Sequence, residues 1–435
     1  MSDVVAAATA AAREAQQRWR TTTMAERAAV LKRLRRGLLQ DAEQLVAVLV
    51  DELGKLPAEA RVLDIAPAAM TLSWAQRAGP KALASSTIPT LLPSAVRTAT
   101  SSWSPRGVCA LLSPWNYPVA IPMGTIAAAL VGGNAVLWKP SEHATRSSQK
   151  LLEILTKHGL PAGLVSLVVG GASVGRDVID ADVDHVTFVG STAVGRDVAA
   201  RCGQRLIPAI VELGGKAPAI VLHGADVERA AHAIVFGGLG NGGQSCVAVE
   251  RVYVVDSVFA AVKDRVAALA AQVSLPRAVL GDQKLPRVVD VSDEPGSPLL
   301  RDEIFGAAIP FVRVSSSQEA VQLANAHPLQ LAAYVFGPRD EARAVAAQLR
   351  APMVAIDDAM IHYALPELPF GGIGASGYGR VHGDEGLRSL CVQQILVEPS
   401  SLRPTRDPWW QPYRGHPLVL RWLDRALDVI DSLKR

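Results

Sequence analysis

The 435-residue sequence lacks the features that mark several protein classes. Its four cysteines, Cys109, Cys202, Cys246 and Cys391, form no CxxC pair, which excludes a dense disulfide framework and is typical of a reducing, cytoplasmic compartment. Lys and Arg total 44 against 41 for Asp and Glu, so the net charge of +3 gives no reason to expect nucleic acid as a partner. The nine histidines include no HExxH pattern and no Cys/His cluster, so no metal site is expected.

Long apolar runs are also missing. The longest, at 119–138, is interrupted by Pro122, Gly124 and the triplet 132–134, and it predicts a core helix followed by a strand. The amino terminus has no charged-then-apolar signal layout, so neither a signal peptide nor a transmembrane segment is expected. With 49% hydrophobic and 20% charged residues, the chain can bury a large core, and its length predicts two or three domains.

Strand and helix patterns alternate over most of the chain. After a helical region at 1–80, which includes a capping box at Thr23 and Glu26, apolar strand patterns at 108–112, 135–139 and 185–189 are separated by helical ones. A second such series begins near Val211. This alternation predicts parallel α/β sheets, whose ligands bind beyond the carboxyl ends of the strands.

The stretch from Val211 to Cys246 carries the strongest chemical signal. Glu212 stands beside two glycines, Cys246 follows a glycine-rich turn at 240–245, and a helical pattern at 227–236 lies between them. Cysteine is the strongest common nucleophile near neutral pH, and a carboxylate can activate water, so the pair suggests covalent catalysis followed by hydrolysis. The alternative is a buried structural cysteine.

Short motifs offer competing interpretations. The sequence 171–175 matches the GxSxG nucleophile elbow, which predicts a serine hydrolase with Ser173 and either His362 or His382. The segment from Gly190 to Gly195 follows a strand and opens a helix, where backbone N–H groups can bind phosphate. Two GxGxxG patterns, at 238–243 and 372–377, lack the preceding strand that a dinucleotide fingerprint requires.

Polar turns follow the first two strands of the predicted sheet. Asn116, in the sequence SPWNYP, can donate a hydrogen bond to a developing oxyanion or cap a helix. Lys139 and Glu142, in KPSE, can bind the hydroxyls of a cofactor ribose or form an ordinary solvated loop.

Taken together and in order, these motifs resemble the aldehyde dehydrogenase superfamily over about residues 5–400. The matching segments are PWNYP, WKPSE, FVGSTAVG, VELGGK, GNGGQSC, EIFG and PFGGIGASGYGR. The resemblance implies NAD(P)-dependent oxidation of a small-molecule aldehyde to its carboxylic acid through a thiohemiacetal and a thioester on Cys246. Asn116 and the backbone N–H of Cys246 would form the oxyanion hole, and Glu212 would activate the hydrolytic water.

The implied cofactor is NAD, with NADP possible. Lys139 and Glu142 would hold the adenosine ribose, Ser191 would lie near the pyrophosphate, and Glu303 and Phe305 would position the nicotinamide ribose and ring. The full set of implied cofactor-binding residues is Ser113, Trp115, Lys139, Ser141, Glu142, Gly190, Ser191, Gly195, Leu213, Glu303 and Phe305.

The resemblance also implies an aldehyde dehydrogenase-like fold, with two Rossmann-like parallel α/β domains and a small β oligomerisation element. The expected boundaries are 1–84 with 108–210 for the NAD(P)-binding domain, 211–388 for the catalytic domain, 85–107 with 389–400 for the oligomerisation strands, and 401–435 for a C-terminal tail. A cytoplasmic homodimer or tetramer is expected. The segment from Gly379 to Gly383 and the tail resemble the dimeric branch that acts on aromatic, medium- and long-chain aldehydes.

Two features depart from the family pattern. The span from Cys246 to Glu303 is short, with the missing part expected around 274–301, and the tail carries Trp409, Trp410 and an amphipathic pattern at 418–433. We expect that helix to pack on its own chain or on a second subunit. A catalytically impaired family member with a structural or binding role remains an alternative, as does a CoA-acylating enzyme, against which Glu212 argues.

Overall fold

The computed structural model describes residues 2–90, 97–277 and 287–399, together with residues 410, 421, 424, 425 and 428. The chain divides into two units, one of Met1–Leu83 and Ser104–Val392, the other of Ala84–Trp103 and Gln393–Arg435. The predicted amphipathic pattern at 418–433 lies mostly outside the described residues, as does Trp409.

Helices cover the amino-terminal region and separate the strands that follow. In chain order, the α-helices of the described residues are α1 Asp3–Trp19, α2 Met24–Gln40, α3 Ala42–Leu53, α4 Pro57–Glu59, α5 Ala66–Ala82, α6 Ala120–Gly132, α7 Thr145–Lys157, α8 Ala172–Asp180, α9 Thr192–Gln204, α10 Val227–Leu239, α11 Phe259–Ala270, α12 Pro298–Arg301, α13 Ser317–Ala326, α14 Arg339–Ala346, α15 Ile361–Ala364 and α16 Gly383–Ser389. None of the helices in these ranges is both long and apolar enough to cross a bilayer.

The described strands are, in chain order, β1 Ser86–Ile88, β2 Arg97–Pro105, β3 Val108–Ser113, β4 Ala135–Pro140, β5 Val165–Leu167, β6 His185–Val189, β7 Ala209–Glu212, β8 Ala217–Val221, β9 Val249–Val255, β10 Val288–Asp290, β11 Ile309–Val314, β12 Leu329–Gln330, β13 Ala332–Phe336, β14 Met353–Ile356, β15 Ile373–Gly374, β16 Gly377–Tyr378 and β17 Cys391–Pro399. Within the second unit, β1 pairs antiparallel with β2, in a three-stranded sheet of order β1-β2-β17.

Two six-stranded sheets form the first unit. One has the order β16-β7-β6-β3-β4-β5 and is parallel except for β16, which pairs antiparallel with β7. The other has the order β10-β11-β9-β8-β13-β14 and is parallel throughout. Their central strands, β3, β4, β8 and β9, are buried at every position, as expected of parallel strands covered on both faces. The predicted parallel α/β class is therefore confirmed.

The local sequence patterns of the helical region predict one of its features and miss another. The predicted capping box at α2 is confirmed, since Thr23 Oγ1 accepts from the Glu26 N–H and the Thr23 N–H donates to Glu26 Oε2 at 2.7 Å. Pro80 lies in the last turn of α5, which continues to Ala82. Between α4 and α5 the chain forms a π-helical turn, Ala60–Ile65, which the sequence pattern did not predict.

Candidate active site

Cys246 follows a turn that only small residues permit. Beyond α10, Asn241, Gly242 and Gly243 all have positive φ, of 51°, 68° and 72°. A Cβ at Gly243 would lie 2.2 Å from the carbonyl oxygen of Gly306, so a larger residue has no room there. The turn brings Cys246 to the wall of two neighbouring cavities just before β9 begins.

Asn116 lies in the loop after β3, beside this turn. Its Nδ2 donates to the carbonyl oxygen of Gln244 at 3.0 Å, and its buried Oδ1 has no partner among the described residues. The side-chain amide therefore retains a second N–H that is not committed to Gln244. Trp115, Asn116 and Cys246 line the same cavity.

A buried lysine fixes the main chain at Asn116. Lys55 Nζ donates to the Asn116 carbonyl at 2.7 Å and to Asn241 Oδ1 at 2.9 Å, and it forms an ion pair with Asp64 Oδ2 at 2.8 Å. Asp64, in the π-helical turn, accepts through Oδ1 from the N–H groups of Val119 and Ala120 at the start of α6. The sequence does not predict this network, because a buried lysine has no local signature.

Glu212 ends β7 and is buried. Its Oε2 accepts from the Gly372 N–H at 3.3 Å, while Oε1 has no partner among the described residues. A Cβ at Gly371 would lie 2.4 Å from Oε1, so glycine is required beside the carboxyl group. Burial raises the pKa of Glu212 well above its ordinary value, which brings this carboxyl group closer to the range of a base at neutral pH.

The surroundings of Cys246 favour the protonated thiol over the thiolate. Burial, and then the nearby carboxyl groups of Glu303 and Glu212, raise its pKa to about 12. A thiolate is the nucleophilic form of cysteine, so a reaction at this sulfur requires a base or an added positive charge.

The two cavities at Cys246 differ in character. One, the apolar pocket, is lined by Cys246, Glu212 and mainly apolar side chains, among them Val62, Leu63, Tyr117, Ile121, Phe236, Met360, Ile361, Tyr363, Phe370 and Val381. The other cavity leads to a cleft at the carboxyl ends of β3, β4 and β6. This second cavity and the cleft share Pro114, Trp115, Gly190 and Ser191 in their linings.

That cleft and the cavity beside it contain nearly all of the predicted cofactor residues. Ser113, Trp115, Lys139, Ser141, Glu142, Gly190 and Ser191 line the cleft, while Leu213, Glu303 and Phe305 line the adjoining cavity. Gly195 is the exception: a Cβ there would lie 2.1 Å from Leu213 Cδ2, so this glycine allows α9 to pack closely on Leu213.

The chemistry of the cleft suits a dinucleotide. Lys139 Nζ lies 3.4 Å from Glu142 Oε2, which places a cation and an anion together where ribose hydroxyls can bind. Ser191 caps α9, and the free N–H groups of that first turn can bind a pyrophosphate. The Trp115 and Phe305 rings meet edge to face, with centroids 5.8 Å apart.

A second buried ion pair supports the loop that carries Glu303 and Phe305. Glu250 accepts from the Ile304 and Phe305 N–H groups at 2.8 and 2.9 Å, and Lys216 Nζ donates to Glu250 at 2.9 Å. Glu303 itself accepts from the Gly215 N–H at 3.1 Å. Burial, followed by the charge of Glu250, raises the pKa of Glu303 to about 7.

The serine hydrolase interpretation is wrong at the level of geometry. Ser173 is exposed in the first turn of α8, and among the described residues no histidine forms a hydrogen bond with it. His362 stacks on Tyr334 and His382 contacts Tyr363, both in the region of the apolar pocket. The GxSxG match is the start of α8, next to the cleft.

Comparisons with known proteins match nearly the whole chain to one family. The model of the aldehyde dehydrogenase family matches residues 2–284 and 285–396. A 4,4'-diapolycopene aldehyde oxidase from Methylomonas sp is 33% identical over 92% of this chain and 82% of that protein. A protein of Mycolicibacterium smegmatis with the name "Putative succinate-semialdehyde dehydrogenase" (NADP+) is 34% identical over 90% of this chain and 84% of its own. The crystal structure of an NAD-dependent aldehyde dehydrogenase from Sinorhizobium meliloti matches with a TM-score of 0.85 and 27% identity, over 94% and 88% of the two chains.

Proposed function

This chain belongs to the aldehyde dehydrogenase family, and we propose on that premise that Cys246, Asn116 and Glu212 together oxidise an aldehyde to its carboxylic acid with NAD(P). The observation that carries the proposal is the position of Cys246 between two unlike cavities. One is apolar and suits the organic part of an aldehyde, and the other joins the cleft with dinucleotide-binding chemistry. Of the described residues that line both cavities, Ile121, Val189, Leu213 and Cys246, Cys246 is the one with a nucleophilic side chain.

The reaction begins when the Cys246 thiol gives its proton to a water molecule and becomes a thiolate. The thiolate adds to the aldehyde carbon and forms a thiohemiacetal, whose oxyanion accepts a hydrogen bond from the uncommitted N–H of Asn116 Nδ2 and one from the Cys246 backbone. NAD(P), when bound, supplies the acceptor for the hydride that leaves this carbon. The product on Cys246 is then a thioester.

Hydrolysis of the thioester requires a base. Glu212 removes a proton from a water molecule, whose oxygen attacks the thioester carbon. The bond between that carbon and the Cys246 sulfur then breaks, and the carboxylic acid is released. The unpartnered Oε1 of Glu212 is the atom available for that water. The raised pKa of Glu212 makes it a stronger base than an exposed carboxylate.

The cofactor-binding residues follow from the cleft. Lys139 and Glu142 would hold the adenosine ribose, the Ser191 end of α9 the pyrophosphate, and Glu303 with Phe305 the nicotinamide half. Glu142 would accept from a 2′-OH and repel a 2′-phosphate, which favours NAD over NADP.

Assembly is part of the proposal. The strand β17 carries Ile395, Leu396 and Val397, each about half exposed, as expected of a strand that another subunit covers. We expect a homodimer or tetramer, which light scattering on the purified chain would detect.

Two substitutions separate the proposed steps. Cys246→Ala should produce no NADH, even in the first turnover. Glu212→Gln should release about one NADH per site in a burst and then turn over ~10²–10⁴-fold more slowly, the usual contribution of a general base. Stopped-flow absorbance measures both, with Cys202→Ala as a matched control for loss of a buried thiol.

Each outcome has a defined meaning. Substantial activity in Cys246→Ala would refute the mechanism. Loss of the burst in Glu212→Gln would assign Glu212 to deprotonation of Cys246. An unmodified chain with no activity on any aldehyde would favour the catalytically impaired alternative.

A further inference from the structure

We propose that the apolar pocket selects uncharged aldehydes with an extended hydrocarbon chain and rejects aldehydes that carry a carboxylate. This inference rests on the proposed function, because it names the class of substrate that Cys246 would oxidise. It depends on three observations: the composition of the wall, the charges at its rim and the side chains at its mouth.

The wall of the pocket offers hydrocarbon contacts and no positive charge. Among the described residues that line it there is no lysine, arginine or histidine. Its charged residues are Glu212 and Asp358, and both are acidic. Tyr117, Thr125 and Ser245 add neutral hydroxyl groups, which can bind a polar atom but cannot balance an anion.

A carboxylate in this pocket would lose its water without gaining a partner. Buried charges in proteins are paired, because an unpaired one is costly to desolvate. Three cations lie near this wall without lining it, and each has partners of its own. Lys55, 4.6 Å from the centre of the Tyr117 ring, is paired with Asp64, and Arg380 donates to the carbonyls of Gly372 and Gly379. Arg229 Nη2 lies 3.7 Å from Asp358 Oδ2, and its Nε donates to the Asp357 carbonyl. Arg229 is therefore already opposed by Asp358, and the two exposed groups leave no net attraction for an anion.

The mouth of the pocket extends its apolar wall to the surface. Val62, Phe236 and Ile361 line the cavity, yet they are 60%, 43% and 36% exposed. The cavity has a volume of about 210 Å³, so a longer hydrocarbon chain would leave it past these three side chains. Contiguous exposed apolar surface at a cavity mouth is typical of a ligand-binding groove.

These features predict how rate depends on substrate. Each methylene buried should raise kcat/KM about fourfold until the pocket is filled. A carboxylate should lower kcat/KM by about 100-fold or more relative to a neutral ester of the same length, since it would be buried without a partner.

The test is a substrate series followed by absorbance of NADH. Propanal, hexanal and octanal vary length, and succinate semialdehyde with its methyl ester varies charge at one length. The variant Phe236→Ala should lower the ratio of kcat/KM for octanal over propanal by about tenfold. The matched control is Leu323→Ala on α13, a partly exposed apolar side chain that does not line the pocket. A ratio within one preparation does not depend on how much of a variant is folded.

The outcomes distinguish a wrong substrate class from a wrong proposed function. If succinate semialdehyde equals or exceeds its methyl ester, or if chain length has no effect, the substrate class is wrong while the proposed function stands. An unchanged octanal-to-propanal ratio in Phe236→Ala would also overturn the inference. If none of the five aldehydes reduces NAD, the proposed function fails and the inference fails with it.

Discussion

Lys55 gives the sharpest test of how this site is held together. Its side chain is 2% exposed and that of Asp64 is fully buried, so the pair is isolated from water. We predict that Lys55→Met lowers stability by ~3–5 kcal/mol, because it leaves the Asp64 carboxylate buried without its cation. That is a large part of the ~5–15 kcal/mol by which folded proteins are stable.

The double variant isolates the cause. Asp64→Asn keeps an acceptor for the Val119 and Ala120 N–H groups and removes the charge. Lys55→Met combined with Asp64→Asn should therefore be more stable than Lys55→Met alone, with a coupling of ~1–3 kcal/mol. Loss of the Lys55 ammonium also releases the Asn116 carbonyl and Asn241, so kcat should fall by ~10–100-fold while KM for NAD changes little.

Chemical denaturation of the unmodified chain, the two single variants and the double variant measures their free energies of unfolding. Steady-state kinetics measures kcat and KM separately. The control is Lys263→Met, which breaks a partly exposed pair with Asp290 and should cost no more than about 1 kcal/mol. If Lys55→Met costs no more than this control, or if the double variant shows the simple sum of the two losses, the reasoning from burial is refuted.

Three further predictions concern the choice between NAD and NADP and the raised pKa values of Glu303 and Glu212. Glu142→Gln should raise the ratio of kcat/KM for NADP over NAD by about tenfold, since it removes a charge that repels a 2′-phosphate; an unchanged ratio would exclude Glu142 as the discriminator. Glu303 has its pKa raised to about 7, so its contribution to stability is greatest below about pH 4.5 and is lost as the pH rises through 7. Glu303→Gln should therefore stabilise the chain at pH 8 by up to ~3 kcal/mol and hardly at all near pH 4.5, as urea denaturation at both values would measure. The role proposed for Glu212 requires its carboxylate form, and its pKa is raised, so hydrolysis of the thioester should quicken with rising pH, and single-turnover rates in Glu212→Gln should lack that rise.

Much of the fold could be read from local pattern. The strands β3, β4 and β6 begin at the predicted residues and end within one residue of the predicted bounds, because a strand buried on both faces reads as a mainly apolar segment. The approach of Glu212 and Cys246 to one cavity was also predictable, since a strand–helix unit returns the chain to the same edge of a sheet. The roles given to these residues stay predictions.

The supporting ion pairs could not be predicted. Lys55 and Lys216 look like surface residues in the sequence, and their burial depends on Asp64 and Glu250, which reach them only through tertiary packing. The serine hydrolase interpretation failed for the opposite reason, since it inferred a site that is not there. A five-residue motif around Ser173 carries no information on which histidines lie nearby. The π-helical turn that holds Asp64 has no clear sequence signal either.

The resemblance implies a shortened stretch around 274–301, and we propose that the site tolerates it because of where the neighbouring strand lies in its sheet. Residues 278–286 lie outside the described residues, and the strand that follows them, β10, pairs only with β11 at the edge of the six-stranded sheet. Lys216 and Glu250, which hold the Glu303 loop, belong to the interior instead, where β9 lies between β8 and β11. A deletion at an edge removes one neighbour from one strand, whereas a deletion in the interior would separate Lys216 from Glu250. We therefore expect the geometry at Cys246 and Glu303 to depend little on the length of the segment that joins them.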